Sequence, residues 1–152
     1  MPEQASSPQS TSKPQSVLIV DDEPRITLAL MVRLEAAGYT VYHAINGLAG
    51  IEAAALYEPD AIILDIRMPD IDGYETCTRI KRLPRLGMVP VIFLSANVQD
   101  EAIKLANEAG GDLFISKPYE SSLILAAVEE LIEERTSRRN NDTPRSMEEC
   151  ST

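Results

Sequence analysis

No apolar run in this sequence approaches the roughly 18 residues of a membrane span, and the N-terminus lacks the apolar core of a signal peptide. Cysteine is scarce. Cys77 lies in a helical pattern and Cys150 in a polar tail, so no disulfide framework can form and both read as reduced thiols. Positive charge is short as well: 14 Lys and Arg against 24 Asp and Glu give a net charge of −10, which excludes a basic face for nucleic-acid phosphates. There is no Walker pattern and no G-x-G-x-x-G, so a bound nucleotide has no glycine-rich cradle. These absences lead us to expect a cytoplasmic protein that binds neither membrane nor nucleic acid.

What is present is one compact segment between two polar ends. Apolar residues make up 44% of the 152 residues, enough for the core of a single domain. Residues 1–16 hold five Ser, three Pro, three Gln and one Thr, a composition that predicts a disordered tail. Residues 136–152 are similarly polar and predict a second disordered tail or linker. Between them, residues 17–135 alternate strand and helix five times. Short apolar runs at Val17–Val20, Tyr39–Ala44, Ala61–Leu64, Val89–Leu94 and Leu113–Ser116 each precede a stretch with helical spacing, the last from about Ser121 to Arg135. Strands apolar on both faces belong in a parallel sheet covered by helices on both sides, a doubly wound α/β fold.

In such a sheet the carboxyl ends of all strands share one edge, where ligands bind. Asp21 and Asp22 follow strand one, Asp65 strand three, Ser95 strand four and Lys117 strand five. Three carboxylates in one crevice repel, and the arrangement is tolerable if one acid protonates or a cation binds. Hard oxygen donors without His or Cys favour Mg²⁺, and Lys117 supplies a further charge suited to phosphate. The cluster reads as a phosphoryl site in which a carboxylate itself accepts the group.

Taken in order, Asp21-Asp22, Asp65 with Met68-Pro69 and Asp72-Gly73, Ser95-Ala96 and Lys117-Pro118 resemble the response-regulator receiver family, over residues 16 to 135. The resemblance implies a flavodoxin-like five-stranded sheet of order 2-1-3-4-5. It implies Asp65 as phosphoacceptor, Mg²⁺ held by Asp22, Asp65 and the Arg67 carbonyl, and Asp21 acting through water. Lys117 would pair with the phosphoryl oxygens, with a cis bond to Pro118. Ser95 and Ala96 would belong to the switch loop and Phe114 would be the switch aromatic. The implied partners are a histidine kinase or histidine phosphotransfer protein and a downstream target protein. The chain would then be no enzyme beyond its own phosphorylation and dephosphorylation.

Arg67 and Asn97 stand two residues past Asp65 and Ser95, where the family tunes phosphoryl lifetime. Receiver dimers of the winged-helix regulators rest on charged positions that here are Leu113 and Ala127, so a mainly monomeric chain is expected. His43 is expected away from the acidic edge, and Asp70, Asp72 and Glu75 as solvated loop and helix-start charges. Two other functions compete. An Mg²⁺-dependent phosphatase with an Asp nucleophile would need an acid–base carboxylate where Arg67 stands, and a substrate cap. A phosphorylation-independent interaction domain would have no use for the full acidic set.

Overall fold

The alternation of apolar strands and helices closes into a single parallel sheet. The computed structural model describes residues 14–97 and 99–151, with side chains up to Arg138. The order is β1 (Ser16–Val20), α1 (Pro24–Ala36), β2 (Thr40–Ala44), α2 (Gly47–Tyr57), β3 (Ala61–Asp65), α3 (Gly73–Lys81), β4 (Val91–Ser95), α4 (Asp100–Glu108), β5 (Leu113–Ser116) and α5 (Ser121–Ser151). All neighbouring strands pair in parallel, in the order β2-β1-β3-β4-β5.

The period-two alternation of side chains divides the core in two. Leu18, Val20, Ile62, Leu64, Val91 and Phe93 point to one face, where α2, α3 and α4 contribute Ala54, Cys77, Ile80 and Ala106. Val17, Ile19, Ala61, Ile63, Ile92 and Leu94 point to the other, against Leu30 and Leu34 of α1 and Ile124, Val128 and Ile132 of α5. This is why β1, β3 and β4 are buried throughout while the edge strands β2 and β5 are partly exposed. Burying one such Ile or Leu side chain contributes roughly 1.5–3 kcal/mol.

Local signals set the helix ends. Pro24 occupies the first turn of α1, where a missing N–H costs nothing, and Gly38 beyond its end adopts φ +101°. Asn46 caps α2 by accepting from the Ala49 amide at 2.8 Å, and Asp72 caps α3 through the Glu75 amide at 2.9 Å.

Two boundaries differ from expectation. β1 begins at Ser16, whose amide donates to Asp60 at 2.8 Å, so Ser16 belongs to the sheet and not to the N-terminal tail. The predicted disorder of residues 1–13 lies outside the described residues. At the other end α5 continues past Arg135 to Ser151. Apolar spacing lapses after Ile132, which is where pattern reading stops, but no glycine follows Gly111 to end the helix.

Gly73 lets the loop after β3 close upon the strand end. A Cβ there would sit 2.5 Å from the Asp65 carbonyl oxygen and 2.7 Å from the Ile66 Cα, while one at Gly87 meets only a carbonyl at 3.6 Å. Gly73→Ala should therefore destabilise the fold by about 1–3 kcal/mol in urea unfolding, and Gly87→Ala should not destabilise it.

Candidate functional site

Strand register brings the acids together. Val20 pairs with Leu64, so the next residues, Asp21 just past β1 and Asp65 at the last position of β3, stand side by side. Ser95 pairs with Ser116, which puts Lys117 beyond the end of β4, where its amide donates to the Ser95 carbonyl at 2.8 Å. Carboxylate oxygens of Asp21, Asp22 and Asp65 all lie within 4.8 Å of one another. Asp21 and Asp65 are buried and Asp22 is exposed at the lip.

The Lys117 ammonium lies among them. Its Nζ stands 3.3 Å from Asp65 Oδ2, 3.6 Å from Glu23 Oε1 and 3.8 Å from Asp21 Oδ2. The remaining oxygens are held by the backbone: Asp21 Oδ1 accepts from the Glu23 amide at 2.8 Å, and Asp65 Oδ1 from the Arg67 amide at 3.4 Å. Burial pushes both Asp65 and Asp21 above the ordinary carboxylate range, and Lys117 only partly opposes it. For Lys117 burial pulls downward, but Asp65, Asp21 and Glu23 together raise it.

These residues fit a divalent cation. Three carboxylates, those of Asp21, Glu23 and Asp65, share one ammonium, the converging Asp21, Asp22 and Asp65 offer hard oxygens only, and burial pushes Asp21 and Asp65 toward protonation. Arg67 is exposed, and it touches the site through its amide. Ser95 is buried at the edge of the cluster, its Oγ accepting from the Asn97 amide at 3.0 Å, which leaves the hydroxyl proton free for another acceptor. Ala96 is exposed beside it. A cleft of about 230 Å³ opens there, lined by Arg67, Tyr74, Ser95 and Asn97. Phe114 is half-buried on the neighbouring strand, packed against the α2–α3–α4 cluster. The Lys117–Pro118 bond is cis.

Two expectations need correction. His43 is not remote from the acids: it pairs with Ile19 in register, and its Nε2 lies 2.9 Å from the Asp21 carbonyl. A carbonyl only accepts, so Nε2 carries the proton. Asp70 is more than a solvated charge, since its carboxylate accepts from the Gly47 and Leu48 amides at 3.0 and 2.8 Å and so anchors the start of α2. Slight burial would raise its pKa, but those amides hold it below the usual range. Asp72 and Glu75 are exposed charges at the start of α3, Asp72 as its cap and Glu75 paired with Arg79 at 2.7 Å. Glu23 was missed, although its place directly after the Asp pair was signal enough. His43 had no such signal, because its reach depends on the β1–β2 register.

Comparison with known proteins agrees with this geometry. Residues 17–129 match the family model described as the response regulator receiver domain. The chain is 36% identical over 122 residues to the DNA-binding dual master transcriptional regulator RpaA of Synechocystis sp., covering 80% of this chain and 50% of RpaA. It spans about half the length of the curated relatives it matches. Among solved structures, a putative response regulator from Chloroflexus aurantiacus superposes with a TM-score of 0.75 at 32% identity, over 80% of this chain and 99% of that one. The receiver domain of a histidine kinase from Syntrophus aciditrophicus gives 0.73 at 34%, over 79% and 91%.

The raised carboxylates make a prediction about stability. A group whose folded pKa is raised contributes stability below its unfolded pKa and loses it as pH rises through the folded value. Without a cation, Asp65 and Asp21 therefore weaken the fold at neutral pH, while Lys117 stays charged throughout. Asp65→Asn should raise the ion-free melting temperature at pH 7, and this advantage should shrink as pH falls toward about 4. Added Mg²⁺ should stabilise the wild type more than the variant. Thermal scans of both proteins across pH, with and without Mg²⁺, check all three outcomes.

Proposed function

The chain belongs to the response regulator receiver domain family, and from that premise we propose that Asp65 is the phosphoacceptor of a two-component or phosphorelay system. One observation carries the reading: three strand-end carboxylates converge within 4.8 Å while the Lys117 ammonium stands 3.3 Å from Asp65. The donor is the phosphohistidine of a histidine kinase or a histidine phosphotransfer protein. An Asp65 oxygen attacks phosphorus, the P–N bond breaks with its electron pair returning to the imidazole, and an acyl phosphate remains. Asp22, Asp65 and the Arg67 carbonyl would hold Mg²⁺, with Asp21 acting through water, and the bound ion would supply positive charge for the transferring oxygens.

This chain's residues do the rest. Lys117 turns its ammonium from the carboxylates to the phosphoryl oxygens, and the Glu23 and Arg67 amides keep Asp21 and Asp65 aimed. Water later attacks phosphorus, the P–O bond to Asp65 breaks with its electron pair restoring the carboxylate, and phosphate leaves, with Arg67 and Asn97 bordering the approach. The larger grooves of the molecule lie elsewhere. One of about 610 Å³ is lined by Glu58, Asp60, Arg85 and Arg135, far from the chemistry. A donor that is itself a protein needs an open lip, not a deep pocket. The phosphatase reading is weaker here because the position two past Asp65 is an exposed arginine, which cannot serve as acid and base.

Incubation with a small phosphodonor should give one Mg²⁺-dependent phosphoryl adduct by intact mass. Asp65→Asn should abolish it and Asp22→Ala should strongly reduce it. An unchanged adduct in Asp65→Asn would refute the assignment, and continuous turnover of the donor without an adduct would favour the phosphatase.

The output surface would be the face of α4, β5 and α5, where Leu105 and Leu113 are each 40% exposed. The phosphoryl group gives Ser95 a charged acceptor, a bond worth roughly 1.5–3 kcal/mol. Drawing Ser95 toward Asp65 frees room for the half-buried Phe114 ring to move inward. Ser95→Ala should still take the phosphoryl group but lose most of the change in target affinity. Phe114→Ala should lose less. Target affinity measured with and without beryllofluoride tests this, and an unchanged ratio in Ser95→Ala would rule the switch out.

A further inference from the structure

His43 is half-buried near the end of the edge strand β2, and it is the chain's single histidine. The β1–β2 ladder gives out beside it. The Asp21 amide still donates to the Ala44 carbonyl at 3.1 Å, but the chain then enters α2 at Gly47, with Asn46 as its cap. The next peptide plane, which joins Asp21 to Asp22, lies past the end of the sheet. Its carbonyl accepts from the His43 Nε2–H at 2.9 Å. Among the described residues no other group bonds that carbonyl, and none bonds the Asp22 amide at the plane's opposite edge.

This plane sets the angle between two carboxylates that like charge drives apart. Asp21 is buried beside Asp65, whereas Asp22 is exposed at the lip and free to swing into solvent. Rotation of this one peptide would carry the Asp22 oxygens out of the group that converges within 4.8 Å. Burial holds the Asp21 side chain and the sheet holds its amide, but the plane that follows is held by the ring. Contacts one step out from a metal's ligands aim them in this way.

We propose that His43 is a positioning residue for the divalent-cation site: its Nε2–H fixes the Asp21–Asp22 peptide and keeps both acids convergent before the cation arrives. The inference rests on the phosphoacceptor reading, in which those acids serve Mg²⁺. The ring acts through the Asp21 backbone and is not itself a ligand.

The test uses the full chain with two variants. His43→Gln places an amide nitrogen as many bonds from the backbone as Nε2, while His43→Asn keeps the polarity and falls one bond short. In calorimetric titration with Mg²⁺ alone, His43→Asn should bind roughly tenfold more weakly than wild type, and His43→Gln within about twofold of it. The Mg²⁺ concentration that gives half of the phosphoryl adduct from a small phosphodonor should rise in step for His43→Asn, with the adduct at saturating Mg²⁺ unchanged. Nitrogen-15 spectra of the single neutral ring should place its proton on Nε2. A merely structural bond would lower the ion-free melting temperature of His43→Asn and leave its Mg²⁺ affinity alone, and that result overturns the proposal. A His43→Gln variant as weak as His43→Asn overturns it too, as does a neutral ring protonated at Nδ1. A wild type that takes up no Mg²⁺ overturns the phosphoacceptor reading and this inference together, whereas equal Mg²⁺ affinity in wild type and His43→Asn overturns this inference alone.

Discussion

One ammonium shared by three carboxylates, with Asp22 crowded beside two of them, is the interaction on which the rest of this structure turns. At about 4 Å, two like charges cost roughly 4 kcal/mol at an effective dielectric near 20, and the acids here make several such pairs. Lys117 offsets part of that repulsion by standing between Asp65, Glu23 and Asp21, yet Asp65 and Asp21 remain raised. The shortfall is what suits the site to a cation. A fully balanced cluster would gain little from a cation, and a cluster without lysine would hold its acids protonated or apart.

The fold exists to impose that crowding. Parallel pairing puts three strand ends at one level, and the register of Val20 with Leu64 makes Asp21 and Asp65 neighbours whatever their mutual repulsion. The cost is borne by burial elsewhere: β1, β3 and β4 are packed on both faces by two separate apolar clusters. Gly73 and Asp70 show how far from the acids this support reaches. The first lets the β3–α3 loop lie against the Asp65 backbone, and the second ties the same loop to the start of α2.

Much of this was legible in the sequence because two periodicities and one edge carry it. Runs such as Val17–Val20 and Ala61–Leu64 are apolar on both faces, which only a covered parallel sheet accommodates, and each ends in an acid. Strand order was not legible from periodicity and came from resemblance. What depends on register was hidden: His43 looked remote until pairing with Ile19 brought its ring to the Asp21 carbonyl. The bonds of Asp70 were hidden for another reason. A loop carboxylate that caps a helix in a different segment leaves no mark at its own position. The continuation of α5 beyond Arg135 was missed because a helix without an apolar stripe has no periodicity to read.

The aromatic side chains offer the proposed change at the acids a route to a distant face. Phe93 and Phe114 pair in register on β4 and β5, and the Tyr74 ring lies 5.8 Å from Phe93 while its hydroxyl donates to the Ala102 carbonyl of α4. Ser95 ends the strand that carries Phe93, and the 230 Å³ cleft separates it from α4. A displacement of Ser95 toward Asp65 therefore acts where the packing is not already full. Dense cores transmit movement as a choice between discrete arrangements and not as a gradual strain. On the proposed switch, the cleft on one side and the half-exposed Phe114 on the other would give β4 and α4 room for two such arrangements, and a single charged hydrogen bond is of the size that can choose between them.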